Sequence, residues 1–294
     1  MLDYHLHLWP HAQSDAEASV EQVASYCRRA AEAGVTEIAL TEHLFRFTQA
    51  RDLLGGFWDD LAGEALRPAM VEYWDHHARV DLDSYVEVVL AAKAAGLPVV
   101  LGLEVDYYQG RMDQVAALLA DYPFDVLLGS IHWLGAWRFD VLSEPLMLAE
   151  WDVRDVDAVW DEYTRAMEEL GASGVCDVFA HPDLVKIAGR VPAIPDEFYD
   201  RITEAAVQSG MAAEVSSAGW RKPAGEEYPA PPLLKRLVER GVPLTTASDA
   251  HSLPDVADRV GTIQDLLIGA GVTHVRGFRR REPYDAAVAP PDGD

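Results

Sequence analysis

Seven short apolar runs, separated by stretches long enough to serve as crossover helices, constrain the fold of this chain more than any other feature. The runs are "MLDYHLH" (1–7), "TEIALTEH" (36–43), "LPVVLGLEVDYY" (97–108), "FDVLLGSIH" (124–132), "VCDVFAHPD" (175–183), "MAAEVSSAG" (211–219) and "VPLTTASDAH" (242–251). Helical patterns lie between most of them: 16–34 with Gly34 as a C-cap, then 84–96, 112–122, 156–174, 195–210 and 231–241. Strand and helix alternating this often predict a parallel sheet with right-handed crossovers, either closed into a barrel or doubly wound. No Pro-, Gly- or Ser-rich linker divides the chain, so a single domain over residues 1–282 is expected, with 283–294 a disordered tail. Two aromatic-rich interruptions, 45–80 and 133–153, are predicted either as lids over a site or as helical insertions packed on the barrel.

Charge excludes some partners. Forty-nine acidic residues against 24 basic ones give a net charge of -25, which repels nucleic acid and anionic membrane surfaces. An anionic substrate then needs a local positive centre, and bound metal ions are one means of supplying it. Two cysteines, Cys27 and Cys176, are too few for a disulfide framework or a thiolate cluster and are expected to be buried apolar residues. The opening residues lack the pattern of a signal peptide, and no run of 18 apolar residues occurs, so the expectation is a soluble cytoplasmic protein.

The strand ends carry the chemistry. His5 and His7 close the first run, His43 the second, Glu104 falls in the third, and His132 closes the fourth. His181 lies in the fifth, Glu214 and Ser216 in the sixth, and Asp249 and His251 in the seventh. A lone histidine at a strand end is ordinarily a hydrogen-bonded structural residue, and the outer histidines His76, His77 and His274 are read in that way. In a βα barrel, however, all carboxyl ends converge on one face, and five of them ending in histidine predict a metal site. Imidazole with carboxylate and no thiolate suits zinc, manganese or iron. The donors exceed what one ion can coordinate, so two or three ions sharing a bridging carboxylate are expected. Such clusters activate water and clamp the oxygens of a phosphoryl or acyl group.

The motifs "DYHLH", "TEH", "GLEVDYY", "GSIHW", "AHPDLVK", "EVSSAGWRKPAGEEYP" and "TTASDAH" follow in the order of the polymerase and histidinol phosphatase (PHP) superfamily, which the chain resembles over nearly its whole length. "HPDLVK" and "GWRKPAGEEYP" make it most similar to the histidinol-phosphatase branch. The resemblance implies a distorted seven-stranded (β/α)7 barrel and a trinuclear centre. His5, His7, Glu104 and Asp249 would hold one ion, with Glu104 bridging to a second held by His132 and His181. His43 and His251 would hold the third, completed by His11, with Asp15 the other candidate.

It further implies a phosphomonoesterase that hydrolyses L-histidinol phosphate, a small phosphorylated substrate. Another small phosphomonoester or a non-catalytic metal-binding module are the alternative readings. Arg221 is expected to clamp the phosphate, with Lys222 and Lys186 as secondary cations and Arg154 or Arg165 as a second arginine. Asp249 or His251, through water, is the candidate proton donor to the leaving group. Glu226 and Glu227 are candidates for the substrate ammonium, and Trp133 and Trp220 for its imidazole.

Overall fold

The computed structural model describes residues 1–11, 17–58 and 64–289. Its elements run β1 (Leu2–Leu6), α1 (Val20–Glu32), β2 (Glu37–His43), α2 (Thr48–Leu54), α3 (Arg67–His77), α4 (Leu82–Ala94), β3 (Val99–Asp106), α5 (Met112–Leu119) and β4 (Val126–Ser130). They continue with α6 (Pro145–Val153), α7 (Val156–Ser173), β5 (Val178–Phe179), α8 (Asp196–Ser209), β6 (Ala212–Ser216), α9 (Pro231–Glu239), β7 (Leu244–Ala247), α10 (Val260–Gly269), β8 (His274–Arg279) and β9 (Glu282–Ala287).

Strands β1 to β7 form one parallel sheet in sequential order. Every residue in these strands is buried, as expected of a parallel sheet covered by helices on its outer face and filled by side chains inside. The helices begin and end on local chemistry. Ser19 caps α1 by accepting from Gln22 N, and Gly34 follows its last turn at φ +83°. Val23, Tyr26, Cys27 and Ala30 make the buried stripe of α1. Both cysteines are buried and unpaired.

The sheet closes between β1 and β7, where His7 N donates to Ala250 O at 2.8 Å and Leu6 bridges Ala250. The Asp3 carboxylate locks this seam: it accepts from Ser248 N and Ser248 Oγ, each at 2.7 Å, and from Ala257 N at 2.9 Å. The barrel is distorted in two places, by a register shift within β1 and by a β5 of only two residues. Both inserted segments contain helices, α2 and α3 in one and α6 in the other, and both border the cleft above the barrel's carboxyl face. Among the described residues, no helix is long and apolar enough to cross a membrane.

The end of the chain corrects the expected tail. Residues 282–287 form β9, which pairs antiparallel with β8, while residues 290–294 lie outside the described residues. This hairpin covers the amino-terminal ends of the barrel strands. Glu37 at the start of β2 accepts from Arg279 Nη1 at 2.8 Å and from the hydroxyls of Tyr4 and Tyr284. Arg281 spans both oxygens of Asp177, at 2.9 Å, and donates to Val175 O at 2.6 Å. Ion pairs and hydrogen bonds, which a polar sequence does not advertise, hold the segment in place. Replacing Glu37 with alanine leaves a buried tyrosine hydroxyl and a guanidinium without their acceptor. It is expected to cost about 1–3 kcal/mol, read as a lowered urea midpoint; an unchanged midpoint would show that the Glu37 contacts contribute nothing to stability.

Candidate metal centre

Five imidazole nitrogens surround the carboxylate of Glu104 on β3. His5 Nε2, His7 Nε2 and His43 Nδ1 lie 3.2, 3.5 and 2.7 Å from Oε2, while His181 Nε2 and His132 Nε2 lie 3.1 and 3.3 Å from Oε1. Asp249 Oδ1 sits 3.6 Å from His7 Nε2, 3.8 Å from His5 Nε2 and 3.5 Å from His251 Nδ1. The alternation of strand side chains puts His5 and His7 on one face, and the sequential strand order brings the other donors around them. Donor atoms of His5, His7 and Asp249, of His5, Glu104 and His181, and of His7, His43 and His251 each lie within 4.8 Å of one another.

These groups fit a cation better than they fit one another. His5 Nε2, His7 Nε2 and Glu104 Oε2 are buried and make no hydrogen bond among the described residues, an arrangement that is costly unless a further partner satisfies them. Burial opposes ionisation of Glu104, but the neighbouring His5, His43 and His132 outweigh it and hold the carboxyl well below its usual range. Burial drives His43 and His251 well below the ordinary imidazole range, so both keep lone pairs available at neutral pH. The backbone is strained at two of the donors, with φ +28° at His181 and +50° at Asp249. Non-glycine residues in that region cost about 1–3 kcal/mol each and cluster at functional sites.

Behind the histidines stands a second set of carboxylates. Glu214 Oε2 is 2.8 Å from His5 Nδ1, and Asp106 Oδ1 is 2.6 Å from His132 Nδ1. The spacing was a usable signal for Asp106, since it follows Glu104 by two positions on the same strand face. Glu42 lies 3.6 Å from His7 Nδ1 and accepts the backbone N–H groups of Leu8 and Trp9.

A cleft of about 740 Å³ opens beside the donors. His11, His43, His132 and Lys222 line it, facing Phe45, Tyr73, His76 and His77 from one insertion and Trp133, Arg138, Asp140 and Glu144 from the other. His76 and His77, read as outer residues, thus border the cleft, whereas His274 is exposed on β8 and bonded to Thr273. The His11 ring stacks on His251 at 3.7 Å but joins none of the close donor groups, and Asp15 lies outside the described residues.

The expected phosphate cations separate. Lys222 lines the cleft. Arg221 braces the Asp249 loop, donating to Ser248 O at 2.6 Å, Asp249 O at 3.1 Å and Asp258 Oδ2 at 2.8 Å. Lys186 is corrected outright: it is 1% exposed, and its three N–H bonds go to Asp183, Glu226 and the Glu227 carbonyl, at 3.0, 2.8 and 2.7 Å. Nothing remains on that ammonium for a phosphate, and Glu226 is engaged by the same contact. Arg154 pairs with Glu150 and Arg165 with Asp161, both away from the cleft, so neither supplies the second arginine. Among the described residues, the arginine lining the cleft is Arg138, which grips both oxygens of Glu144 at 2.9 and 2.6 Å. Of the two tryptophans, Trp133 lines the cleft, while Trp220 lies under Arg259.

Comparison with known proteins gives consistent relatives. The PHP domain model matches residues 3–218. A Deinococcus radiodurans protein named "Probable histidinol-phosphatase" is 31% identical over 269 residues, covering 88% of this chain and 91% of the relative. A Listeria monocytogenes crystal structure, which carries the histidinol phosphatase name provisionally, superposes with a TM-score of 0.71 at 21% identity, covering 89% of this chain and 99% of that one. Histidinol phosphate phosphatase from Lactococcus lactis, solved with zinc, L-histidinol and phosphate, superposes with a TM-score of 0.67 at 18% identity, covering 96% and 98%.

Proposed function

The chain belongs to the PHP domain family, and from that premise we propose that it is a cytoplasmic, metal-dependent phosphomonoesterase hydrolysing L-histidinol phosphate to L-histidinol and phosphate. The observation that carries this reading is the ring of five imidazole nitrogens within 3.5 Å of the two Glu104 oxygens. The name of the Deinococcus radiodurans relative and the ligands of the Lactococcus lactis structure support the choice of substrate.

His5, His7, Glu104 and Asp249 would hold one divalent ion, Glu104, His132 and His181 a second, and His43 and His251 a third, with the His11 ring stacked on His251 beside it. Zinc, manganese and iron all suit this donor set. Bound there, the ions supply an activated water and offset the charge of the phosphoryl oxygens. Lys222, on the cleft wall with His11, His43 and His132, adds positive charge to the phosphate end. Arg221 commits three of its five donors to Asp258 and the 248–249 carbonyls. It positions Asp249 and has two donors left for phosphate. Asp249 and His251, 3.5 Å apart, would orient the water that protonates the leaving oxygen. On the opposite wall, Asp140 and Glu72 offer carboxylates to the substrate ammonium, and Trp133 and Tyr73 offer ring faces to its imidazole.

Phosphate release from L-histidinol phosphate, beside a panel of sugar phosphates and nucleotides, tests this reading in protein loaded with zinc, manganese or iron. We expect a preference of at least about 100-fold in kcat/KM, roughly 2.7 kcal/mol of transition-state binding. Equal or faster turnover of another phosphoester would remove histidinol phosphate as the substrate while leaving the metal centre in place.

A further inference from the structure

Two of the histidines that face Glu104 are held from behind by carboxylates on different strands. His5 points Nε2 at Glu104 Oε2, 3.2 Å away, and Nδ1 at Glu214 Oε2, 2.8 Å away across the barrel interior from β6. His132 repeats the arrangement, with Nε2 3.3 Å from Glu104 Oε1 and Nδ1 2.6 Å from Asp106 Oδ1 on β3. All four outer and inner partners, Glu214, Asp106, His5 and His132, are buried.

We infer that Glu214 and Asp106 are positioning residues of the metal centre: each accepts the Nδ1 proton of its histidine and so leaves Nε2 as the nitrogen that binds a divalent cation beside Glu104. The inference rests on the metal reading of the site and not on which phosphoester is hydrolysed.

A carboxylate buried this deeply is costly unless it is hydrogen-bonded. Among the described residues, Glu214 has one other hydrogen bond, a long 3.4 Å bond from His181 N, and Asp106 Oδ2 has no hydrogen-bond partner. The imidazole N–H is therefore the principal donor available to either. In return, the carboxylate fixes the ring's tautomer and orientation and raises the basicity of the opposite nitrogen. The backing is selective. His181 Nδ1 is buried without a hydrogen-bond partner, and Glu42 stands 3.6 Å from His7 Nδ1, beyond hydrogen-bond range. The two backed histidines approach different oxygens of Glu104, so one positioning carboxylate serves each side of the bridge.

Zinc affinity, measured by competition with a chelator of known affinity, tests the inference in wild-type, Glu214→Gln and Asp106→Asn proteins at one pH. Each substitution keeps side-chain volume and removes the charge, and each is expected to weaken zinc binding by about 10–100-fold. Nitrogen-15 spectra of the zinc-loaded wild-type protein supply a readout that needs no variant: His5 and His132 are expected to carry their proton on Nδ1. Zinc affinities within twofold of wild type in both variants would overturn the inference, as would protons on Nε2 of these rings or a wild-type protein that binds no zinc. Failure to hydrolyse histidinol phosphate would leave it standing.

Discussion

Glu104→Gln is expected to lower phosphate release from histidinol phosphate by about 10⁴-fold, roughly 5.5 kcal/mol of transition-state stabilisation. Glutamine matches glutamate in shape, so the core around β3 stays filled. It nevertheless replaces one acceptor oxygen with an N–H₂ group that cannot coordinate a cation. Whichever way the amide turns, that group faces imidazole nitrogens, three of them grouped around Oε2 and two around Oε1. The charge that draws cations between the two sets is lost at the same time. Elemental analysis is therefore expected to find at least one ion fewer per chain, with the folded spectrum retained. His274→Ala, on the exposed face of β8, serves as a control and should match wild type. A Glu104→Gln protein that kept its full metal content and a tenth or more of its activity would show that Glu104 does not bridge.

The donors around Glu104 were legible because they obey rules that sequence carries. Period-two alternation puts His5 and His7 on one face, and parallel crossovers gather all the strand ends. His43, His132, His181, Asp249 and His251 needed only those two rules to be placed. The β8–β9 hairpin was not legible, for a physical reason. Its two-residue turn is Arg280–Arg281, at φ +50° and +65°, where asparagine and glycine are the usual residues. Contacts outside the hairpin offset that strain: Arg280 N donates to Asp125 Oδ1 at 3.1 Å and Arg281 N to Asp125 O at 2.8 Å. A turn stabilised by the barrel floor has no local signature. The same holds for the cleft wall, since Arg138, Asp140 and Glu72 meet the site only through the fold of the insertions. Lys186 shows the converse, a cation in a motif beside the site, two of whose three partners come from another loop.

Lys186→Met is expected to destabilise the protein by about 3–5 kcal/mol while leaving kcat/KM of the folded fraction within about twofold of wild type. The ammonium ties the turn after His181 to the 226–228 segment, through Asp183, Glu226 and the Glu227 carbonyl, and it lies 5.1 Å from the centre of the Tyr228 ring. Tyr228 in turn pairs with Ser216 at the end of β6, with backbone bonds of 2.6 and 3.0 Å. Methionine fills the space but leaves Asp183 buried without its cation. Burial already raises the Asp183 carboxyl above its ordinary value, and Lys186 opposes that rise. Removing the ammonium lets the rise grow. A carboxyl raised in the folded state binds more protons there than in the unfolded chain, so its stability contribution falls as pH climbs above the unfolded value. The deficit of the variant should therefore be larger at pH 8 than at pH 5, read from urea midpoints at the two pH values. A variant as stable as wild type but at least tenfold slower in kcat/KM would return Lys186 to the phosphate site. A deficit independent of pH would mean that Asp183 keeps one protonation state across that interval in the variant.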